Sequence, residues 1–193
     1  AQRVPLPQDC ASVPSGFQMR MRTSPPSRGG SMTSNWSKPI PRRRSPMARK
    51  ILLVAPMSGH YATLLRSTVG SLLPDADVYV TDWHNARDIP VSAGKFDVED
   101  YTLYLAEVMK ALGPETHVIA ICQPVPLTLA ATAYLAAEDP EAQPRSLVLI
   151  GGPVDPDAAA TEVTDFGRRI TMGQLEHIAI QRVGFKYKGV GRL

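Results

Sequence analysis

The residue best suited to carry chemistry is Cys122, which stands between a β-branched run and an alanine-rich run. In "HVIAICQPVPLTLAA" (residues 117–131) the first run predicts a buried strand and the second predicts a helix. A nucleophile elbow holds its nucleophile at such a corner, between small flanking residues. Ala120 is a small flank, and Pro124 suits a first helical turn, where a missing N–H costs nothing. A helix start also favours the thiolate form of a cysteine. The pattern is that of a thiol nucleophile, although by themselves these residues are more often an inert, buried cysteine that ends a core strand.

A second stretch, "APMSGH" (residues 55–60), follows an earlier apolar run and predicts an oxyanion hole. In proteins with a nucleophile elbow, one oxyanion donor is the N–H of the residue after the nucleophile, and the other comes from the loop after an earlier strand. We therefore predict the backbone N–H groups of Gln123 and Met57 as donors, with Ser58 as the alternative to Met57. Two such amides lower the barrier by about 3 kcal/mol or more. The competing interpretation is an ordinary glycine-containing turn.

A third polar stretch, "TDWHNARD" (residues 81–88), begins at the end of the next predicted strand. We predict Trp83 and His84 as substrate-binding residues, together with His60 of the "APMSGH" stretch. A loop held together by its own hydrogen bonds explains the same residues equally well.

The elements that must position these stretches alternate between buried strands and amphipathic helices. Continuous apolar runs predict strands covered on both faces, and helices between them predict a doubly wound parallel α/β sheet. In such a sheet, sites form at the carboxyl ends of the strands, where the three polar stretches stand. The predicted strands are 51–55, 77–83, 117–121 and 146–152, and the predicted helices are 61–73, 97–113, 126–138 and 171–185.

Composition divides the chain of 193 residues into a basic tail and a folded region. Residues 1–50 hold ten of the 21 basic residues and one of the 18 acidic ones. We predict that residues 1–48, rich in Pro, Ser and Arg, form a disordered tail, and that 49–193 form the folded domain. The tail composition also fits a transit peptide or a nucleic-acid-binding arm. Two cysteines make a disulfide framework unexpected, so a cytoplasmic location is the default.

Four stretches together resemble the intracellular polyhydroxyalkanoate (poly-3-hydroxybutyrate) depolymerases: "APMSGH", "TDWHNARD", "HVIAICQP" and "RSLVLIGGPVD". The resemblance extends from about Lys50 to Leu193, and 145–193 are similar to the start of the depolymerase C-terminal domain. It implies an α/β-hydrolase fold, here core strands three to six, with Cys122 as nucleophile. It also implies a polyester substrate of short-chain 3-hydroxy acids, stored as cytoplasmic granules. Residues 125–127 depart from the family's usual Ser-Val-Pro.

The acid and base of a hydrolytic triad are the missing part of this resemblance. In chain order they follow the nucleophile, where the candidates are Asp155, Asp157, Asp165 and His177. His177, beside Ile178, is expected to be a half-buried or solvent-edge helix residue. The family's acid and histidine lie beyond the length of this chain, so we expect an incomplete hydrolase domain with little or no turnover.

Two functions from different classes remain at this point. The first is a polyester depolymerase-type ester hydrolase that uses Cys122, with no cofactor and no metal. The alternative is a non-catalytic granule-associated or partner-binding α/β module. A nucleic-acid binder acting through the tail ranks last, because no base-reading motif accompanies it. Nucleotide binding is disfavoured, since no glycine-rich phosphate loop follows a strand.

Overall fold

The computed structural model describes residues 49–56, 63–83 and 94–179, and the predicted tail lies outside these ranges. The strands are β1 (Arg49–Val54), β2 (Ala76–Val80), β3 (Thr116–Ile121) and β4 (Ser146–Ile150). The helices are α1 (Arg66–Leu72), α2 (Val98–Leu112), α3 (Val125–Glu138), α4 (Glu162–Arg169) and α5 (Met172–Ala179). Short 3-10 turns cover Thr63–Leu65 and Pro140–Ala142.

The four strands form one parallel sheet in the order β2-β1-β3-β4. The register places Val54 beside Ala120, and Ile121 beside Ile150. The chain runs from β1 outward to β2, and then returns past β1 to β3. The order therefore has a switch point between β1 and β3, where the connections leave in opposite directions. Sheets of this kind bind ligands beside the carboxyl ends of the strands at such a point. The prediction of a parallel α/β sheet is confirmed.

Helices cover the two faces of the sheet because side chains of a strand alternate between faces. On one face, Val69 of α1 packs in a core with Leu53 and Val78. On the other face, α2 and α3 pack over Leu52 and Val118. The sheet therefore holds two separate apolar cores.

Helix α2 begins and ends where the sequence predicts, for reasons local to its ends. The Asp97 side chain accepts hydrogen bonds from the N–H groups of Glu99 and Asp100, and the Asp100 side chain accepts one from the Asp97 N–H. This reciprocal pair satisfies N–H groups that a helix start leaves without partners. At the other end Gly113 has a φ of 86°, which favours glycine, and the helix stops there.

The outer strand β4 differs from its prediction. Its residues were expected to be covered on both faces, yet Val148 and Ile150 are 45% and 47% exposed. Leu147 and Leu149, on the opposite face, pack against the core formed with α2 and α3. The prediction of two covered faces is wrong for β4, because α1 packs over β1 and β2 and, among the described elements, no helix buries that face of β4.

The region after β4 contains a helix that periodicity did not predict. Helix α4 has few apolar residues, and its start depends on Thr161 and Thr164, whose hydroxyls each accept from the other's backbone N–H. Val163 and Phe166 of α4 are 78% and 59% exposed. Across the described ranges, no helix is long and apolar enough to span a bilayer.

Candidate active site

Cys122 directly follows the last residue of β3 and lies three residues before Val125, the first residue of α3. It therefore occupies the corner between strand and helix. Its φ is 69°, and it is the one non-glycine residue with positive φ in the described part of the chain. For an L-residue this left-handed conformation costs roughly 1–2 kcal/mol. The thiol is nevertheless exposed. A left-handed backbone at an exposed residue between a strand and a helix is the geometry that a nucleophile elbow has, whereas a cysteine that ends a core strand would be buried.

Backbone hydrogen bonds from two directions hold this turn. The Cys122 N–H donates to the carbonyl of Ile150 at 2.8 Å, and the Val125 N–H donates to the Cys122 carbonyl at 3.1 Å. Pro124 accepts both the N–H and the hydroxyl of Thr128, at 2.8 and 2.7 Å. Pro124 thus directly precedes α3, and the prediction that it is part of the first turn is wrong; α3 itself begins at Val125, one residue before the predicted start at 126. The end of β4 and the start of α3 together fix the corner.

The predicted oxyanion donors lie partly within the described residues. Gln123 is exposed and follows Cys122 directly, so its N–H belongs to the turn itself. Met57, Ser58 and His60 lie outside the described residues. Because β1 and β3 are neighbours with Val54 beside Ala120, the chain leaving β1 starts next to the corner.

The start of that chain is anchored by a residue that sequence reasoning missed. The N–H of Ala55 donates to the hydroxyl of Thr81 at 2.7 Å, and the N–H of Thr81 donates to the carbonyl of Leu53 at 3.1 Å. Both Ala55 and Thr81 are buried. The only sequence signal was a threonine at the end of a predicted strand. The hydroxyl joins the ends of β1 and β2 at the edge of the sheet that carries the site.

Trp83, predicted to bind substrate, packs within an aromatic cluster. Its ring stacks on Tyr101 at 5.0 Å between centroids, with Phe96 at 5.9 Å and Tyr104 at 6.0 Å. The side chain is half-buried, and burial raises the pKa of the Tyr101 phenol above its usual value. The described contacts of Trp83 are thus with the core beneath α2. His84 lies outside the described residues.

The acidic candidates for a triad have local partners. The Asp155 carboxylate accepts from the N–H groups of Asp157 and Ala158, at 2.9 and 3.2 Å. Asp157 and Asp165 both accept from the guanidinium of Arg168. These bonds stabilise the turn and helix that follow β4.

The candidate base, His177, lies in the last turn of α5 and is exposed. The solvent-edge prediction is confirmed for it and the half-buried one is wrong. Within the described ranges no three His, Cys, Asp or Glu side chains cluster as metal ligands.

A comparison with models of known protein families finds a match after the last strand of the sheet. Residues 151–193 match the family model described as "PHB de-polymerase C-terminus". The match begins directly after β4, whose last residue, Ile150, binds the Cys122 N–H. Neither the curated proteins nor the solved structures contain a significant match.

Proposed function

We propose that this chain is a polyester hydrolase of the PHB depolymerase family and that Cys122 is its nucleophile. The match of residues 151–193 to the depolymerase C-terminus supports the family. The observation that carries the proposal is the φ of 69° at an exposed cysteine between a parallel strand and a helix. The substrate class is a polyester of short-chain 3-hydroxy acids or its oligomers, and the location is the surface of cytoplasmic storage granules.

The reaction has two steps. In the first, the Cys122 thiolate attacks the ester carbonyl, a C–S bond forms, and the C–O bond to the alcohol breaks as the alcohol oxygen takes a proton from water. In the second, water attacks the thioester carbonyl, the C–S bond breaks, the acid is released and the thiol is restored. The Gln123 N–H, with that of Met57 or Ser58, would hold the oxyanion in both steps.

Cys122 lies at the part of the sheet where parallel α/β proteins usually bind their ligands. It lies at the carboxyl end of β3, beside the switch point between β1 and β3. The expected α/β-hydrolase fold agrees with this placement, since that fold presents its nucleophile above the sheet at a strand-to-helix turn. His60, Trp83 and His84 remain the proposed substrate-binding residues.

The experiment is acylation by 4-nitrophenyl 3-hydroxybutyrate, whose phenolate leaves without a protein acid. Intact-mass and peptide-mass measurements locate the acyl group, and released nitrophenolate is counted. We expect the adduct on Cys122 in the parent and in Cys10→Ala, which removes the other cysteine, and no adduct in Cys122→Ala. Equal labelling of Cys122→Ala and the parent would show that the nucleophile assignment is wrong.

A non-catalytic granule- or partner-binding module is the second candidate, and exposed apolar side chains favour it. Val148 and Ile150 on β4, and Val163 and Phe166 on α4, are all 45% exposed or more. Apolar side chains exposed to water are available to contact an apolar surface or a partner. This candidate predicts sedimentation of the protein with polyester granules, without acylation of Cys122, and weaker sedimentation of Phe166→Ser.

A further inference from the structure

Gly152 lies against the turn that carries Cys122. A Cβ at this position would lie 2.2 Å from the Cβ of Val125, 2.5 Å from the carbonyl oxygen of Cys122 and 2.6 Å from Cγ2 of Val125. Two of these atoms, the carbonyl oxygen and the Val125 Cβ, are fixed to the backbone and cannot rotate away. A side chain at position 152 therefore requires the backbone of one segment to move.

The neighbouring Gly151 provides a contrast within the same pair of glycines. It has a φ of 62°, and a Cβ there would meet nothing within 4 Å. Position 151 thus favours glycine because of its positive φ, whereas position 152 favours glycine because the backbone there lies close to Val125 and to the Cys122 carbonyl.

The segment 150–152 contacts both peptide groups that flank the Cys122 Cα. The Ile150 carbonyl accepts the Cys122 N–H, and Gly152 abuts the Cys122 carbonyl. That carbonyl and the Gln123 N–H belong to one planar peptide group. A force on the carbonyl oxygen consequently turns the Gln123 N–H as well.

We infer that Gly152 is a positioning residue for Cys122 and for the Gln123 N–H, an inference that rests on the function proposed above. The absence of a Cβ leaves the 122–123 peptide in the orientation that aims the N–H at the developing oxyanion. Gly152 lies in the stretch that matches the depolymerase C-terminus, so the start of that stretch forms a wall of the nucleophile's turn.

The test compares two reactions of the same thiol in the full chain. Iodoacetamide alkylates a thiol without an oxyanion, whereas the nitrophenyl ester needs one. We expect Gly152→Ala to slow acylation by about 10²–10³-fold, the loss typical of removing one oxyanion donor, and to leave the alkylation rate near that of the parent. Gly173→Ala is the matched control, since a Cβ there meets nothing within 4 Å, and both of its rates should equal those of the parent.

A double variant covers the case in which Gly152→Ala does not fold. Gly152→Ala with Val125→Gly removes the two contacts to Val125 and keeps the one to the Cys122 carbonyl. Relative to Val125→Gly alone, its ratio of acylation to alkylation should still be low.

The outcomes separate this inference from the proposed function. A ratio equal to the parent's in the folded Gly152→Ala, or in the double variant relative to its single control, overturns the positioning role alone. A parent that is never acylated at Cys122 overturns the proposed function and this inference with it.

Discussion

Replacing Cys122 with glycine should yield a more stable protein than replacing it with alanine. Both changes remove the thiol, so the difference between the variants isolates the backbone. The φ of 69° costs an L-residue about 1–2 kcal/mol, which glycine does not incur. Glycine loses about 0.5–1 kcal/mol more conformational freedom on folding than alanine. The central values of these two ranges leave Cys122→Gly more stable than Cys122→Ala by about 0.75 kcal/mol.

The assay is equilibrium urea unfolding followed by circular dichroism, with thermal unfolding as the second measurement. For a chain of this size the difference corresponds to a rise in Tm of about 1–4 °C. Ala120→Gly is the control, because Ala120 is a buried residue within β3, where glycine should lower stability. The two glycine substitutions, two positions apart, thus have opposite expected signs.

The reasoning would be refuted by one clear result. If Cys122→Ala is as stable as Cys122→Gly or more so, the folded chain does not hold position 122 in a left-handed conformation. The elbow geometry would then be absent, and with it the main support for Cys122 as nucleophile.

Three further substitutions test the surrounding structure. Thr81→Val should increase amide hydrogen exchange at Ala55, because it removes the acceptor of a buried N–H at a cost of about 1–3 kcal/mol, whereas Thr81→Ser should preserve protection. Leu105→Ala should lower the free energy of unfolding by about 2–5 kcal/mol, while Leu103→Ala on the exposed side of the same helix should lower it by less than about 1 kcal/mol in urea titrations. Burial raises the pKa of the Tyr101 phenol in the folded chain above its value in the unfolded chain. The contribution of neutral Tyr101 to the free energy of unfolding is therefore complete below about pH 10 and is lost as pH rises through the raised pKa. The free energy of unfolding of the parent, measured relative to that of Tyr101→Phe, should accordingly fall as pH rises above about 10.

The alternation of strands and helices was predictable because its signals are local. The Asp97 cap and Gly113 stop bound α2 within the predicted 97–113, since a helix end is satisfied by residues within one turn of it. The corner at Cys122 followed in the same way from the change of pattern around it. Helix α4 escaped detection because a mostly polar helix of eight residues has too few apolar positions to reveal a period.

The amino-acid sequence by itself determined the four strands, every helix except α4, their order and the residue at the corner, because propensity, capping and apolar periodicity act over a few neighbouring residues. Only the tertiary structure decided that β4 leaves one face exposed, that Thr81 joins the ends of β1 and β2, and that Gly152 abuts the Cys122 carbonyl. These contacts join residues distant along the chain. Their geometry depends on how strands and helices pack together, which no local pattern encodes.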